Sequence, residues 1–512
     1  MAYFHGVRAS EVPTSILTPV NTTAGLPVVF GTAPIHLTDD PGAYANKPII
    51  CYSWDEAVAA LGYSEDWDKY TLCEAMYSEF KLYAVKPIIF VNVLDPAKHK
   101  TEVTMAETAL SAGAATVKEP VLLSTLQVFK TATAEAGAGE GTATDDGPSL
   151  DDLDGSGRGA TRSAAGQPEL GTDYTAAYDD DGQLVISVIE GGMLDGADKI
   201  YLTYTKVDPT QVTSSDVIGG ASASGTTKGL EWIDAIYTVF AMVPGIVAAP
   251  GWSENPSVAA VMKAKCLNIS SLFRCICLTD VDTGEAKSYA EVNDWKNAKN
   301  YTGVNQVVLW PCVKLDNMVF HMSTHLMGII GVMDAANLDV PYQSPSNMSL
   351  QATGLCLKDG TEVTLSLDQA NLLNSQGIVT GLNFNGGWKS WGNYTGAYPS
   401  NTDVKDSFIC VRRMFDWQYQ TFILTYWQKV DQPLTRRLVR TIVDSEQIRL
   451  NGLVSRGYML GATVKFLEDE NPLTDLLAGI IRIHSYITPP VPAQEIDDIL
   501  EYDVDNFKAL FS

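Results

Sequence analysis

The stretch Gly245-Ile-Val-Ala-Ala-Pro-Gly-Trp252, followed by Leu272-Phe-Arg-Cys-Ile-Cys-Leu278, decides the fold. Residues 245–249 and 272–278 each read as a short strand, and helical patterns stand on either side: about 229–242, 256–268, 285–299 and 321–337, with a further strand at 304–310. Strands alternating with helices of this length indicate βαβ units, hence a mostly parallel sheet with helices on its faces. The expectation is an α/β protein with a central doubly wound sheet. Cys275 and Cys277, two apart, share one face of their strand and read as small core residues.

Working toward the N-terminus, Val28–Phe30, Ile49–Cys51 and Pro87-Ile-Ile-Phe-Val-Asn-Val93 are further apolar runs. Between them, Ser53-Trp-Asp-Glu56 and Thr71-Leu-Cys-Glu74 each have the spacing of a capping box, and Gly62 provides a stop for the first helix. Residues 1–25, with Pro13, Pro19 and many Thr and Ser, lack helical periodicity and read as an extended arm. Residues 131–182 hold twelve acids against only Arg158 and Arg162, in an Ala/Gly/Thr/Ser background that reads largely as solvated loop. Tyr174–Ile189 has the pattern of a hairpin turning at Asp181-Gly182.

Toward the C-terminus, helices are expected at about 415–428 and, with Pro433 in its first turn, at 434–450. On the latter, Arg436 and Arg440 share one face. Met459–Leu467 and Ile481–Ile487 read as strands, and Thr488-Pro-Pro-Val-Pro492 as a stiff spacer. Beyond it Leu500, Tyr502 and Val504 alternate with Glu501, Asp503 and Asp505, the two-residue period of a strand with one apolar and one acidic face. A strand beyond a spacer needs an edge to pair with, in its own domain or in a neighbour's sheet. The resulting division is an arm at 1–25, the first part of the α/β core at 26–99, a β-rich inserted outer domain at 100–209, the central α/β domain at 210–387, an α+β domain at 388–487, and a spacer with terminal strand at 488–512.

Composition narrows the function. The chain has 512 residues, 46% hydrophobic and 19% charged, with a formal charge of −26. Such acidity disfavours general nucleic-acid binding. No secretory signal is visible at the N-terminus, and the longest uncharged apolar stretch, near Tyr237–Trp252, is too short for a membrane span. Eight cysteines without a CxxC pair suggest neither a disulfide framework nor a zinc knuckle. There is no phosphate-binding GxxxxGK[ST], no strand-linked GxGxxG and no GxSxG elbow. His321 and His325 have i,i+4 spacing, but Met322 follows the first, so the HExxH base is missing and core histidines are the simpler reading. Asp152-Leu-Asp-Gly-Ser-Gly157 echoes a calcium loop, with Ser163 where the bidentate glutamate belongs. No cofactor, metal or catalytic residue is therefore assigned.

Gly6-Val-Arg-Ala-Ser-Glu-Val-Pro13, Gly245–Trp252, Asn371-Leu-Leu-Asn-Ser-Gln-Gly-Ile378, Trp391-Gly-Asn-Tyr-Thr395, Arg412-Arg413 and Tyr486-Ile-Thr-Pro-Pro-Val-Pro-Ala493 each resemble elements of contractile phage tail sheath proteins. They occur in that family's order and span almost the whole chain. Two departures stand out: Asn393 and Tyr394 precede Thr395 where many sheath proteins read Ala-Arg-Thr, and the acidic insert is an elaboration. The resemblance implies a non-enzymatic subunit forming stacked sixfold rings around an inner tail tube, with baseplate and tail terminator proteins as further partners. It implies assembly in the bacterial host cytoplasm, a place in the virion tail, and contraction without nucleotide. It also implies that both termini complete sheets in neighbouring subunits, which singles out Val7, Ala9 and Glu11 at one end and Leu500, Tyr502 and Val504 at the other. Between Lys405 and Lys465 ten basic residues face five acidic ones, so Arg412, Arg413, Arg436 and Arg440 are candidates to face an acidic tube; the competing reading pairs them internally with Asp416, Asp431 and Asp444. From a different class, the alternative is a cytoplasmic α/β hydrolase-like enzyme with flexible termini.

Overall fold

The computed structural model describes residues 23–132, 167–179, 181–221 and 225–511. Its centre is an eight-stranded mixed sheet. In chain order the strands are β1 (Pro27–Gly31), β2 (Pro48–Cys51), β3 (Ile88–Asn92), β4 (Ile246–Ala248), β5 (Ile276–Asp280), β6 (Gln306–Leu309), β7 (Ile378–Asn383) and β8 (Trp388–Trp391). In space they run β2-β3-β1-β4-β5-β6-β7-β8. The six inner strands are mutually parallel, while β2 on β3 and β8 on β7 close the two ends antiparallel. The inner strands β1, β3, β4 and β5 are buried throughout, as parallel strands covered on both faces must be. The expected strand at 272–278 is thus displaced to β5, because Phe273 and Leu272 close a bend on Ile269 before the chain enters the sheet. Cys275 and Cys277 are both buried, and both lie against Cys266.

Helices α1 (Thr71–Met76), α2 (Pro256–Leu267), α3 (Met322–Ala336), α4 (Ile409–Tyr426) and α5 (Arg436–Ser455) do most of the positioning. The first capping box forms in modified shape: Ser53 Oγ accepts from the Glu56 amide at 3.2 Å, but the Glu56 carboxylate takes the Tyr52 N–H at 2.7 Å instead of the cap amide. The second does not form. Tyr70 caps α1 without a side-chain bond, Thr71 exchanges bonds with Thr32, and Glu74 turns inward to a histidine described below. Pro433 also lies outside its helix: α5 starts at Arg436, capped by the Thr435 hydroxyl, which accepts from the Leu438 amide at 3.2 Å.

A π-helix, Tyr77–Tyr83, continues α1 and packs on α3. The approach is close: a Cβ at Gly328 would lie 2.3 Å from the Tyr83 ring. Inside this contact Glu79 is fully buried with neither carboxylate oxygen hydrogen-bonded to protein, and burial holds its pKa well above the carboxylate range. A carboxyl whose folded pKa is raised contributes its stability below the unfolded pKa and loses it as pH rises through the folded one. Glu79→Gln is therefore expected to narrow the fall in denaturation midpoint between pH 5 and pH 8. An unchanged pH profile would show that Glu79 does not titrate in the core.

Between β3 and β4 the chain builds two three-stranded antiparallel sheets, one from Lys100–Ala109, Gln127–Phe129 and Lys199–Val207, the other from Ala114–Val117, Tyr174–Tyr178 and Leu184–Val188. They enclose a separate core around Val121, Leu184, Ile186 and Leu202. The expected hairpin is there, with Gly182 at φ +73° in its turn. The Asp152–Gly157 segment and most of the acidic stretch lie outside the described residues, as does the N-terminal segment with Val7, Ala9 and Glu11.

Near the C-terminus, β9 (Gly461–Lys465) and β10 (His484–Thr488) pair antiparallel over a core of Met414, Trp417, Leu450, Leu453, Met459 and Val464. Ala24, at the root of the N-terminal segment, belongs to that same core.

Candidate assembly site

In a mixed α/β sheet, ligands belong at the carboxyl ends of the strands where the order reverses, which here is between β1 and β4. That position is filled by protein. His321, at the N-cap of α3, donates its backbone N–H to Glu74 Oε1 at 2.6 Å, and its Nδ1 lies 2.7 Å from Glu74 Oε2. Its Nε2 faces Glu254, in the loop after β4, at 3.4 Å. Thr324 adds a hydroxyl bond to Glu74 at 3.0 Å. Burial alone would lower His321; the two carboxylates outweigh it and hold the pKa well above the histidine range. Asp280, ending β5, accepts from the Ser323 amide and the Ser253 hydroxyl, and burial pushes it up to about 6. His325, one turn along α3, is buried against Tyr83, whose hydroxyl is 2.9 Å from Nδ1. The two histidines therefore serve different internal partners, and the network ties α1, the β4 loop, β5 and α3 together.

The predicted basic face divides in two. Arg412 and Arg413 are buried in α4, contrary to a role on an exposed tube-facing surface. Arg412 donates to Asp406 at 3.0 Å and to Asp416 at 2.7 Å, the internal pairing with Asp416 that the sequence also allowed. Arg413 forks onto both oxygens of Asp334 in α3 and donates to the Ala24 carbonyl at 3.2 Å. A guanidinium so enclosed is unavailable to a partner. By contrast Arg436 and Arg440, in the first turns of α5, are exposed. They border a groove of about 560 Å³ floored by Leu434, Val439, Val443, Phe466 and Leu476. No local sequence signal separates the two pairs; the partners of Arg413 lie 79 and 389 residues away.

The terminal segment makes no strand in this chain by itself. Residues 489–503 have no regular structure, and Val504–Phe511 form a 3₁₀ helix, so the alternating pattern is unpaired. Ile496, Ile499, Leu500 and Tyr502 are 77–90% exposed. Four large apolar side chains between Ile496 and Tyr502 are left in water, an exposure that suits a contact surface. Its root is held: the Tyr394 hydroxyl donates to Gln494 Oε1 at 2.8 Å, and Gln494 Nε2 donates to Asn393 at 3.0 Å. Tyr394 is stacked on Tyr398 at 3.8 Å between ring centres and lies 4.9 Å from Phe408. The two residues at which the sheath-like motif departs from its usual form thus hold the base of the tail.

A mixed α/β body whose centre is closed by its own side chains, with an apolar-acidic tail left exposed, is suited to assembly. Comparison with known proteins supplies the particular class. Over 505 residues the chain is 26% identical to the tail sheath protein of Burkholderia phage BcepMu, covering 96% of this chain and 95% of the relative. It is 25% identical to the tail sheath protein of Escherichia phage P2 over 289 residues, 56% of this chain and 69% of that one. No family model matches. Among solved structures, the contracted sheath of an extracellular contractile injection system aligns with a TM-score of 0.55 at 13% identity, covering 99% of each chain. The contracted helical sheath of the anti-feeding prophage aligns at 0.54 and 14%, over 99% of this chain and 100% of that one. The chain is similar over almost its whole length to a tail sheath protein, and its relatives support a structural contractile sheath subunit, not an enzyme. The hydrolase alternative is set aside, because the relatives found along the chain are structural sheath proteins.

Proposed function

We propose that this protein polymerises into stacked sixfold rings around an inner tail tube and contracts to drive the tube through a target cell envelope. The supporting observation is the exposed, alternating tail rooted at Gln494 on a body similar throughout its length to a phage tail sheath protein. Strand donation through the tail, and through Val7, Ala9 and Glu11 at the other end, keeps subunits linked while their packing changes. Each backbone bond contributes only about 1 kcal/mol net. Several per arm, repeated along a polymer, hold the lattice by avidity. Contraction then needs two packings of rigid subunits with linkers that absorb the motion, for which 13–25 and 488–492 are the candidates.

The doubly wound reading of the central sheet and the division at residues 25, 99, 209, 387 and 487 belong to the same proposal. Arg436 and Arg440, beside their apolar groove, are the residues we assign to the tube. As exposed charges they are screened and individually weak, suited to contacts that release on contraction. Baseplate and terminator proteins would cap the polymer, and the assembled product is a component of the virion tail. No helix among the described residues is long and apolar enough to cross a membrane.

Negative-stain microscopy of the purified chain tests the reading. Tubes or stacked rings are expected. A small oligomer of fixed size at every protein and salt concentration would refute it.

A further inference from the structure

Two landmark stretches of the sequence, Asn371–Ile378 and Trp391–Thr395, meet in space, and one buried lysine joins them. Trp391 Nε1 donates to Asn371 Oδ1 at 2.9 Å, and a Cβ at Gly392 would lie 2.7 Å from Asn374 Oδ1. Each stretch leads into a tight turn: the Gly377 N–H donates to the Asn374 carbonyl at 3.0 Å, and the Tyr398 N–H to the Thr395 carbonyl at 3.1 Å. The turns touch where only glycine fits, since a Cβ at Gly377 would lie 2.4 Å from the Thr395 carbonyl oxygen and 2.7 Å from that of Tyr398. Lys296, on the helix Tyr289–Ala298, reaches both turns: its Nζ donates to the Gln376 carbonyl at 2.5 Å and to the Tyr398 carbonyl at 3.0 Å. The residue is 1% exposed. No nearby carboxylate balances it. Asp294 on its own helix and Asp368 on the helix Leu367–Asn374 are exposed, Glu291 accepts from the Lys287 and Ser288 amides, and Asp406 is taken by Lys405 and Arg412. A buried ammonium without a counter-charge is costly, so its two carbonyl bonds are what the site gains from it.

What these turns carry is the seat of the tail. The Tyr398 ring stacks on Tyr394, whose hydroxyl donates to Gln494, while Asn393 accepts from the same glutamine. We infer that Lys296 is a positioning residue for assembly: by clamping the Gln376 and Tyr398 carbonyls it holds Asn393 and Tyr394 where they fix the direction in which the tail leaves the body. This rests on the reading of the tail as a link between subunits and adds the internal part that aims it. The lysine also makes the seat able to open. Burial lowers its pKa to about 8, against about 10.4 for a lysine in water. Between those values an open seat binds more protons than a closed one, so opening is easiest below pH 8 and grows rarer as pH rises toward 10. Tyr394, whose phenol burial holds above its usual range, acts in the opposite sense and only above about pH 10. A seat that gives way at neutral pH suits a root that must turn while subunits change their packing.

The test follows amide exchange in the unassembled full chain and tube growth by light scattering. Lys296→Met is expected to speed exchange at Gly396 and Tyr398, whose N–H groups bond the Gln306 and Thr395 carbonyls, about tenfold, and to slow growth about fivefold. Tyr394→Phe keeps the stacked ring but loses the bond to Gln494, so it should slow growth similarly while exchange at those amides stays unchanged. The double variant should grow no more slowly than Lys296→Met, because both changes act through one seat. In the wild type, protection at Gly396 and Tyr398, corrected for intrinsic exchange, should rise on the order of tenfold from pH 7.5 to 9. Lys296→Arg, charged throughout that range, should show no rise, and it keeps the test open if the methionine variant does not fold. The inference is overturned by a flat wild-type profile, by unchanged exchange in Lys296→Met, or by additive effects in the double variant. Normal tubes from a chain lacking residues 494–512 would sink the reading of the tail as a link; tubes that need the tail yet grow normally with Lys296→Met sink only the role of the lysine.

Discussion

Arg413→Ala is expected to destabilise the folded chain by about 3–5 kcal/mol, the range found when one partner of a buried ion pair is removed. The size follows from what remains. Asp334 is 2% exposed, and in the intact protein burial raises its pKa while Arg413 opposes the rise. Without the guanidinium the carboxylate has lost its counter-charge in a site that water does not reach. Its pKa then rises further, so the variant should recover part of its stability as pH falls and Asp334 takes a proton, a dependence opposite in sign to ordinary acid denaturation. Arg413→Lys should rescue poorly, because an ammonium on a flexible stem does not reproduce a fork holding two carboxylate oxygens and the Ala24 carbonyl. Joint replacement by Arg413→Met and Asp334→Leu should restore more than either single change, since an apolar pair of similar volume avoids the desolvation of both charges. Urea denaturation of wild type, Arg413→Ala, Arg413→Lys, the single changes Arg413→Met and Asp334→Leu, and their combination at pH 5 and 7.5 decides the matter; equal midpoints for wild type and Arg413→Ala would show that the pair contributes nothing net. A functional consequence follows as well. Gly25 packs so closely on Asp334 that a Cβ would lie 2.7 Å from its Oδ2, so the same pair fixes where the N-terminal segment leaves the body.

This pair marks the boundary of what the sequence made legible. The strand-helix alternation from 245 onward was readable because buried parallel strands are short apolar runs, and that property is local. Capping at Ser53 and the turn at Gly182 were readable for the same reason. Glu74 was misread because a capping box and a buried charge partner look alike along the chain, and its histidine is 247 residues away. For Arg412 and Arg413 the tube-facing and internally paired readings stayed open, because charge counts carry no burial; the structure gives Arg412 the pairing with Asp416. The tail was readable in pattern and in acidity, but the strand expected at Leu500–Val504 is absent: residues 489–503 have no regular structure and Val504 begins a 3₁₀ helix.

Removal of residues 494–512 is expected to abolish polymerisation while leaving the monomer folded. The two halves of the prediction rest on the same numbers. Because Ile496, Ile499, Leu500 and Tyr502 are 77–90% exposed, deleting them withdraws almost no buried apolar area from the monomer. The truncation also removes the Gln494 bonds to Tyr394 and Asn393, which at about 0.5–1.5 kcal/mol each are small against the stability of a domain. Circular dichroism and the urea midpoint should therefore stay within about 1 kcal/mol of the full chain. The polymer is different. If every subunit contributes one tail to a neighbour, deletion removes one link per subunit throughout the lattice, and avidity turns a modest loss per contact into the loss of the assembly. Sedimentation and negative stain should show monomers or isolated rings at concentrations where the full chain forms tubes. Replacing only Leu500, Tyr502 and Val504 by Ser separates the apolar contribution from that of the backbone. If the side chains anchor the strand, the triple variant should behave as the deletion does; if it assembles normally, the backbone ladder alone carries the link. Normal tubes from the truncated chain would mean that subunits are held by contacts between their bodies, and strand donation by this tail would be wrong.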